Sequence, residues 1–127
     1  MPVKWEIRDP MLILTVDGDY RADDLVRALV EAMGAPTFRP GLFVLGDGRH
    51  SKASISAADT DWRVEWLASL PKMGFASRYA VVVNHEAHRF GLARMISTRL
   101  ETRGVDLGIF RRVDEAMEWL TGHEAGS

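Results

Sequence analysis

The chain has 127 residues, 46% of them hydrophobic, which suits one domain with its own core. It has no cysteine, which excludes disulfides, thiolate zinc sites and cysteine nucleophiles. Its 16 basic and 18 acidic residues give a net charge of −2 without a basic stripe, which argues against nucleic acid as a partner. No apolar run approaches the roughly 20 residues of a membrane span, and no apolar signal stretch opens the chain, so we expect a cytoplasmic protein.

The first half of the chain predicts a hairpin, a helix and a buried strand. Residues 3–8 alternate apolar and charged side chains, and the apolar run 11–16 predicts the antiparallel partner strand. Residues 22–33 place apolar side chains at helical spacing. The apolar run 42–45 predicts a buried parallel strand, and a polar loop is expected to follow it over residues 47–56.

The second half predicts helices and strands in alternation. Helices are expected at 56–70, 86–103 and 113–120, and strands at 79–83 and 105–110. Because strands separated by helices form right-handed crossovers, the order β-β-α-β-α-β-α-β-α predicts a mixed, mostly parallel five-stranded sheet covered by helices.

Several stretches resemble the SpoIIAA-like branch of the STAS domains (sulphate transporter and anti-sigma factor antagonist). They are the opening hairpin, Phe38-Arg39-Pro40-Gly41, Phe90-Gly91-Leu92-Ala93-Arg94-Met95, and the ending Phe110-Arg111 with Asp114-Glu115-Ala116-Met117-Glu118-Trp119-Leu120. The resemblance covers nearly the whole chain and implies one STAS-like α/β domain over residues 1–121. Residues 122–127 are expected to form a flexible tail.

The same resemblance implies an expected function. Anti-sigma factor antagonists of this group dock on a kinase-like anti-sigma factor and carry a phosphorylated serine within Asp-Ser-Ser-Gly at the start of the second helix. Here Asp47 matches the acid that ends the strand, but a longer loop replaces Asp-Ser-Ser-Gly. Ser54 and Ser56 are the candidate phosphoacceptors, because a phosphate near a helix N-terminus is favourable.

We therefore expect a non-catalytic interaction module that docks a protein partner, such as a regulatory kinase-like or anti-sigma protein. The loop after the third strand and the second helix should form the docking face, because ligands of open α/β sheets bind beyond the carboxyl ends of the strands. A homodimer would cover any apolar area left on the sheet edge or the final helix. The candidate binding residues are Asp47, Arg49, His50, Ser54, Ser56, Trp62, Trp66 and Arg94.

The alternative is a carrier of a small hydrophobic, lipid-like ligand. Its cleft would lie beside the second helix and would be lined by Trp62, Trp66, Met73 and Phe75. Core packing is the ordinary explanation for tryptophans at helical spacing, just as a solvated connection is for the polar loop.

Catalytic and metal signatures are missing from the sequence. There is no nucleophile elbow, no phosphate-cradling lysine motif and no dinucleotide fingerprint, so neither an enzyme nor a cofactor is predicted. A hydrolase would need Asp47 and His50 within hydrogen-bonding reach of a serine. His85 and His88 lack a third ligand, so no metal site is predicted.

Overall fold

The computed structural model of the chain describes residues 2–52, 57–84 and 87–122, and at residues 57 and 87–90 it describes the backbone alone. A single 3₁₀ turn at Leu70–Met73 follows the second helix. The helices and strands run β1 Val3–Arg8, β2 Met11–Gly18, α1 Ala22–Met33, β3 Phe43–Ser51, α2 Ala57–Ser69, β4 Arg78–Val82, α3 Ala87–Glu101, β5 Asp106–Phe110 and α4 Val113–Gly122.

The five strands form one sheet in the order β1-β2-β3-β4-β5. The β1–β2 pair is antiparallel, and the other three pairs are parallel. This confirms the predicted mixed, mostly parallel α/β sheet. Because each crossover moves one strand in the same direction, right-handed connections put α1, α2 and α3 on the same face of the sheet. The last helix, α4, packs on the opposite face.

Each face of the sheet has its own core. On the three-helix face, strand residues Leu12, Leu14, Val44, Tyr79 and Leu107 pack against Leu25, Leu29, Val64, Ile96 and Leu100 of the helices. On the α4 face, Met11, Ile13, Leu45, Ala80 and Val82 pack against Ala116 and Leu120. Strand side chains point alternately to the two faces, so a central strand covered on both sides is apolar throughout.

The third strand is longer than the sequence predicts. Residues 47–51, expected to belong to a loop, continue β3 as far as Ser51. Glycine and aspartate are poor strand formers, but Asp47 pairs in register with Thr15 of β2 and Val82 of β4. Pairing with both neighbours at Asp47, and with β2 alone at His50 and Ser51, therefore outweighs the low local propensity.

The ends of the other elements lie within a few residues of their predicted positions. The described part of α2 begins at Ala57, and residues 53–56 lie outside the described residues. Helix α4 includes Gly122, the first residue of the predicted tail, and residues 123–127 are again outside. Within the described ranges, none of the helices combines the length and the apolar character that crossing a bilayer requires.

Candidate functional site

One glycine of β3, Gly46, leaves space on the three-helix face of the sheet. Because side chains alternate along the strand, Val44, Gly46 and Gly48 face α2 and α3, whereas Leu45 packs toward α4. A Cβ built on Gly46 would meet no atom within 4 Å. A Cβ on Gly48, by contrast, would lie 3.2 Å from the carbonyl oxygen of Val82, so the missing side chain of Gly46 accounts for the space between the sheet and the helices above it.

This cavity has a volume of about 170 Å³ and an apolar lining. It lies toward the carboxyl ends of the strands, where Val16 of β2 and Val82 of β4 form part of its wall. Strand residues Leu14, Val44 and Leu107 and helix residues Leu67, Leu92 and Ile96 also line it. An enclosed apolar cavity of roughly 150 Å³ can hold a benzene molecule. The space is thus large enough for a compact organic molecule.

Tyr79 contributes the most deeply buried polar group of the cavity wall. Its side chain is 1% exposed, and its hydroxyl has no hydrogen-bond partner among the described residues. Burial raises the pKa of Tyr79 well above its ordinary value, so the hydroxyl stays protonated at any physiological pH. The hydroxyl is therefore a neutral polar group enclosed by the protein, with almost no accessible surface of its own.

Tyr20 and Arg63 form a polar pair on the more exposed side of the cavity. The Arg63 guanidinium donates a hydrogen bond to the Tyr20 hydroxyl, and its carbon lies 5.4 Å from the centroid of the Tyr20 ring. Both residues are half-buried lining residues. We place the mouth of the cavity beside this pair.

Of the four residues predicted to line a cleft beside α2, Trp66 lines the cavity. Trp62 does not, but its ring stacks on that of Trp66 with centroids 5.3 Å apart and planes 13° apart. Met73 is 41% exposed and lies away from the cavity. Phe75 is buried and packs edge-on against Phe38. The cleft predicted from the sequence is thus displaced toward α3.

The chain has structural neighbours among solved proteins. No protein-family model matches its sequence, and no curated protein does either. A solved structure that is similar over 93% of this chain and 91% of its own has a TM-score of 0.58 and 16% sequence identity. That structure is of an uncharacterized protein from the DUF3478 family with a SpoIIAA-like fold, from Shewanella loihica PV-4. The chain has a SpoIIAA-like fold.

Within this SpoIIAA-like fold, Asp47 occupies a buried position in the middle of β3. Its two carboxylate oxygens accept hydrogen bonds from Nε and Nη2 of Arg49, at 2.9 Å and 2.8 Å. Burial is the largest single influence on the pKa of Asp47 and raises it, but hydrogen bonds and charge from Arg49 together outweigh burial. The pKa of Asp47 consequently lies below its ordinary value. The pair thus joins two residues of the central strand.

The shifted pKa of Asp47 predicts a specific pH dependence of stability. Because the folded-state pKa is below the unfolded-state value of about 3.9, the pair stabilises the fold above that pH and loses its contribution as the pH falls through the folded-state pKa. We expect Asp47→Asn to lower the free energy of unfolding at pH 7 by on the order of 1 kcal/mol. The difference from the wild type should shrink toward pH 2 in urea titrations.

Asp19→Asn, at an exposed carboxylate, is the control for that measurement. It should leave both the stability at neutral pH and its acid dependence close to those of the wild type. A constant difference between Asp47→Asn and the wild type from pH 7 to pH 2 would contradict the assignment.

An open polar depression lies at the carboxyl edge of β2 and β3, where the sequence predicted a docking loop. It is lined by Asp17, Arg49, His50, Ser51, Lys52 and Asn84. The side chains of Arg49, His50 and Lys52 are exposed there. The structure thus brings two predicted site residues, Arg49 and His50, to the expected edge of the sheet, in a depression that shares Ser51 with the cavity wall.

The remaining predicted site residues are not gathered at either place. Arg94 is exposed on α3 and lines neither the cavity nor the depression. Ser54, Ser56 and His85 lie outside the described residues, as does the side chain of His88. Phosphorylation of the serines and docking of a protein partner therefore stay predictions.

Two features of the sequence, not singled out above, could have indicated the cavity. Gly46 and Gly48 alternate on a buried strand, which removes two consecutive side chains from the same face. Tyr79 opens a buried strand that is otherwise aliphatic, and a buried tyrosine hydroxyl normally needs a partner. Neither signal indicates which helices stand above that face.

Proposed function

We propose that this chain is a non-catalytic binding protein that carries a small apolar molecule between its sheet and helices α2 and α3. The observation that supports the proposal is the cavity of about 170 Å³ above Gly46. Protein cores pack densely, with few voids larger than a water molecule. Space of this size in the main core is therefore better explained by an occupant than by imperfect packing.

The size of the cavity sets the affinity to be expected. Void volume destabilises a protein by about 24 cal/mol per Å³. Filling the whole cavity could therefore recover up to about 4 kcal/mol, which corresponds to a dissociation constant near 1 mM for a probe that makes apolar contacts only. A natural ligand with further contacts would bind more tightly.

The arrangement of polar groups supports binding rather than hydrolysis. Both oxygens of Asp47 accept hydrogen bonds from the Arg49 guanidinium, which is the arrangement of a bidentate ion pair. The protonated Tyr79 hydroxyl is a poor nucleophile and a poor base.

Titration with toluene, followed by methyl NMR of the full chain, tests the proposal. We expect saturable shifts of the methyl resonances of Leu14, Val44 and Ile96, with a dissociation constant of about 1 mM. Leu45 and Leu120 pack on the opposite face of the sheet and provide the internal control. Unchanged cavity methyls, or equal shifts on the two faces, would exclude a binding cavity.

A further inference from the structure

Within the described residues, strand β1 leaves one edge of the sheet unpaired. It stands at the end of the strand order and pairs with β2 alone. The backbone N–H of Asp17 donates to the carbonyl oxygen of Pro2 at 2.8 Å, one residue beyond the paired part of β1. Because hydrogen-bonding groups alternate along an antiparallel strand, the backbone groups of Val3, Trp5 and Ile7 point away from β2. This edge therefore offers a row of backbone donors and acceptors to another strand.

The charged side chains of β1 alternate in sign along its exposed face. Lys4, Glu6 and Arg8 are exposed, and Glu6 accepts a hydrogen bond from Nε of Arg8 at 3.0 Å. Because both members of this ion pair are exposed, it contributes little to stability and is readily exchanged for another. Charges on an edge strand discourage pairing wherever like charges come to lie directly opposite each other. The pattern therefore selects among the possible registers of a pairing.

A second copy of the chain fits this edge in one register. In an antiparallel pair of β1 strands, residues with outward backbone groups must lie opposite each other. A pair centred on Lys4 or on Glu6 places that residue opposite its own copy, and the like charges repel. A pair centred on Val3 or on Ile7 engages only a short part of the strand. A pair centred on Trp5 places Lys4 opposite Glu6 of the second copy, and the two-fold axis repeats this favourable contact.

We propose that the chain forms a two-fold symmetric dimer in which the β1 strands of two copies pair antiparallel about Trp5 and join the two sheets into one. Trp5 then exchanges backbone hydrogen bonds with its own copy, and Val3 does so with Ile7 of the second copy. The half-buried Trp5 side chains meet across the axis on the three-helix face, as a cross-strand aromatic pair. The contact uses none of the described residues that line the cavity, so it does not depend on the proposed function.

Charge exchange between positions 4 and 6 tests this register, with sedimentation equilibrium of the full chain as the measurement. Because one strand pair buries a small area, we expect a weak wild-type dimer with a dissociation constant on the order of 0.1 mM. Lys4→Glu and Glu6→Lys each place like charges opposite each other at both symmetric contacts, so each should weaken dimerisation at least about tenfold. The double variant restores opposite charges and should return the dissociation constant to within about threefold of the wild type.

Arg8→Gln is the matched control, since Arg8 is also exposed on β1 but has no charged residue opposite it in this register. It should leave dimerisation within about twofold of the wild type, and far-ultraviolet circular dichroism checks that every variant is folded. A wild type that stays monomeric up to about 1 mM, single reversals without effect, or a double variant as weak as the single ones would each overturn the proposed contact. Loss of dimerisation in Arg8→Gln would indicate pairing about Ile7 and would equally overturn it.

Discussion

Replacing Gly46 with valine should abolish binding of small apolar molecules and leave the fold intact. The added side chain points into the cavity, where a Cβ at this position meets no atom within 4 Å. The backbone of Gly46 is not in the left-handed region, so valine is accommodated without strain. The strand propensity of valine exceeds that of glycine by up to about 1 kcal/mol. We therefore expect the free energy of unfolding to be unchanged or raised by up to that amount.

The measurements are a toluene titration and a denaturant unfolding curve, and toluene binding should weaken by more than tenfold. Gly91→Ala is the matched control, since Gly91 is an exposed position of α3 where a Cβ also meets nothing within 4 Å. That change should stabilise the helix by about 1 kcal/mol without altering toluene binding. If the Gly46→Val variant binds toluene with wild-type affinity, the cavity is not the binding site.

Two leucines of α3 should respond very differently to truncation. Leu100 is 0% exposed in the core of the three-helix face, so Leu100→Ala creates a new void and should lower the free energy of unfolding by about 3 kcal/mol. Leu92 is half-buried and lines a cavity that already exists. Leu92→Ala loses fewer contacts and should cost about 1 kcal/mol.

Urea unfolding at 25 °C measures the loss of stability in both variants. Titrations with toluene and butylbenzene measure a second expected effect of Leu92→Ala, on the size of the preferred ligand. Because the truncation enlarges the cavity, butylbenzene should gain affinity relative to toluene, while Leu100→Ala should leave that preference unchanged if it still folds. Equal losses of stability in the two variants, or a size preference that Leu92→Ala does not alter, would contradict the placement of Leu92 on the cavity wall.

Hydropathy periodicity was sufficient for most of the fold. The alternation in β1 and the apolar spacing of α1 reflect which side chains touch the core, and α1 spans Ala22–Met33 as predicted. The end of β3 could not be predicted from propensity, because Gly46 and Asp47 are held in the strand by pairing with β2 and β4, and His50 and Ser51 by pairing with β2. The polar loop expected over residues 47–56 therefore begins later than its composition indicates.

The candidate site was predicted only in part. Trp66 was singled out because aromatic residues at helical spacing can line an apolar space, and the structure places it on the cavity wall. Tyr79 was not singled out, since it reads as one more core residue of a buried strand. The structure places Tyr79 on the cavity wall, on the same face of the sheet as Gly46.

The sequence by itself determined the order of the elements, the α/β class and the mostly parallel sheet, because these follow from local periodicity and from the handedness of crossovers. Only the tertiary structure decided that three helices share one face and that Tyr79, Trp66 and the β3 glycines meet around a cavity. These residues are far apart in the chain, and strand pairing with helix packing brings them together. Whether a glycine belongs to a turn or leaves space for a ligand depends on the strands and side chains that the fold places next to it.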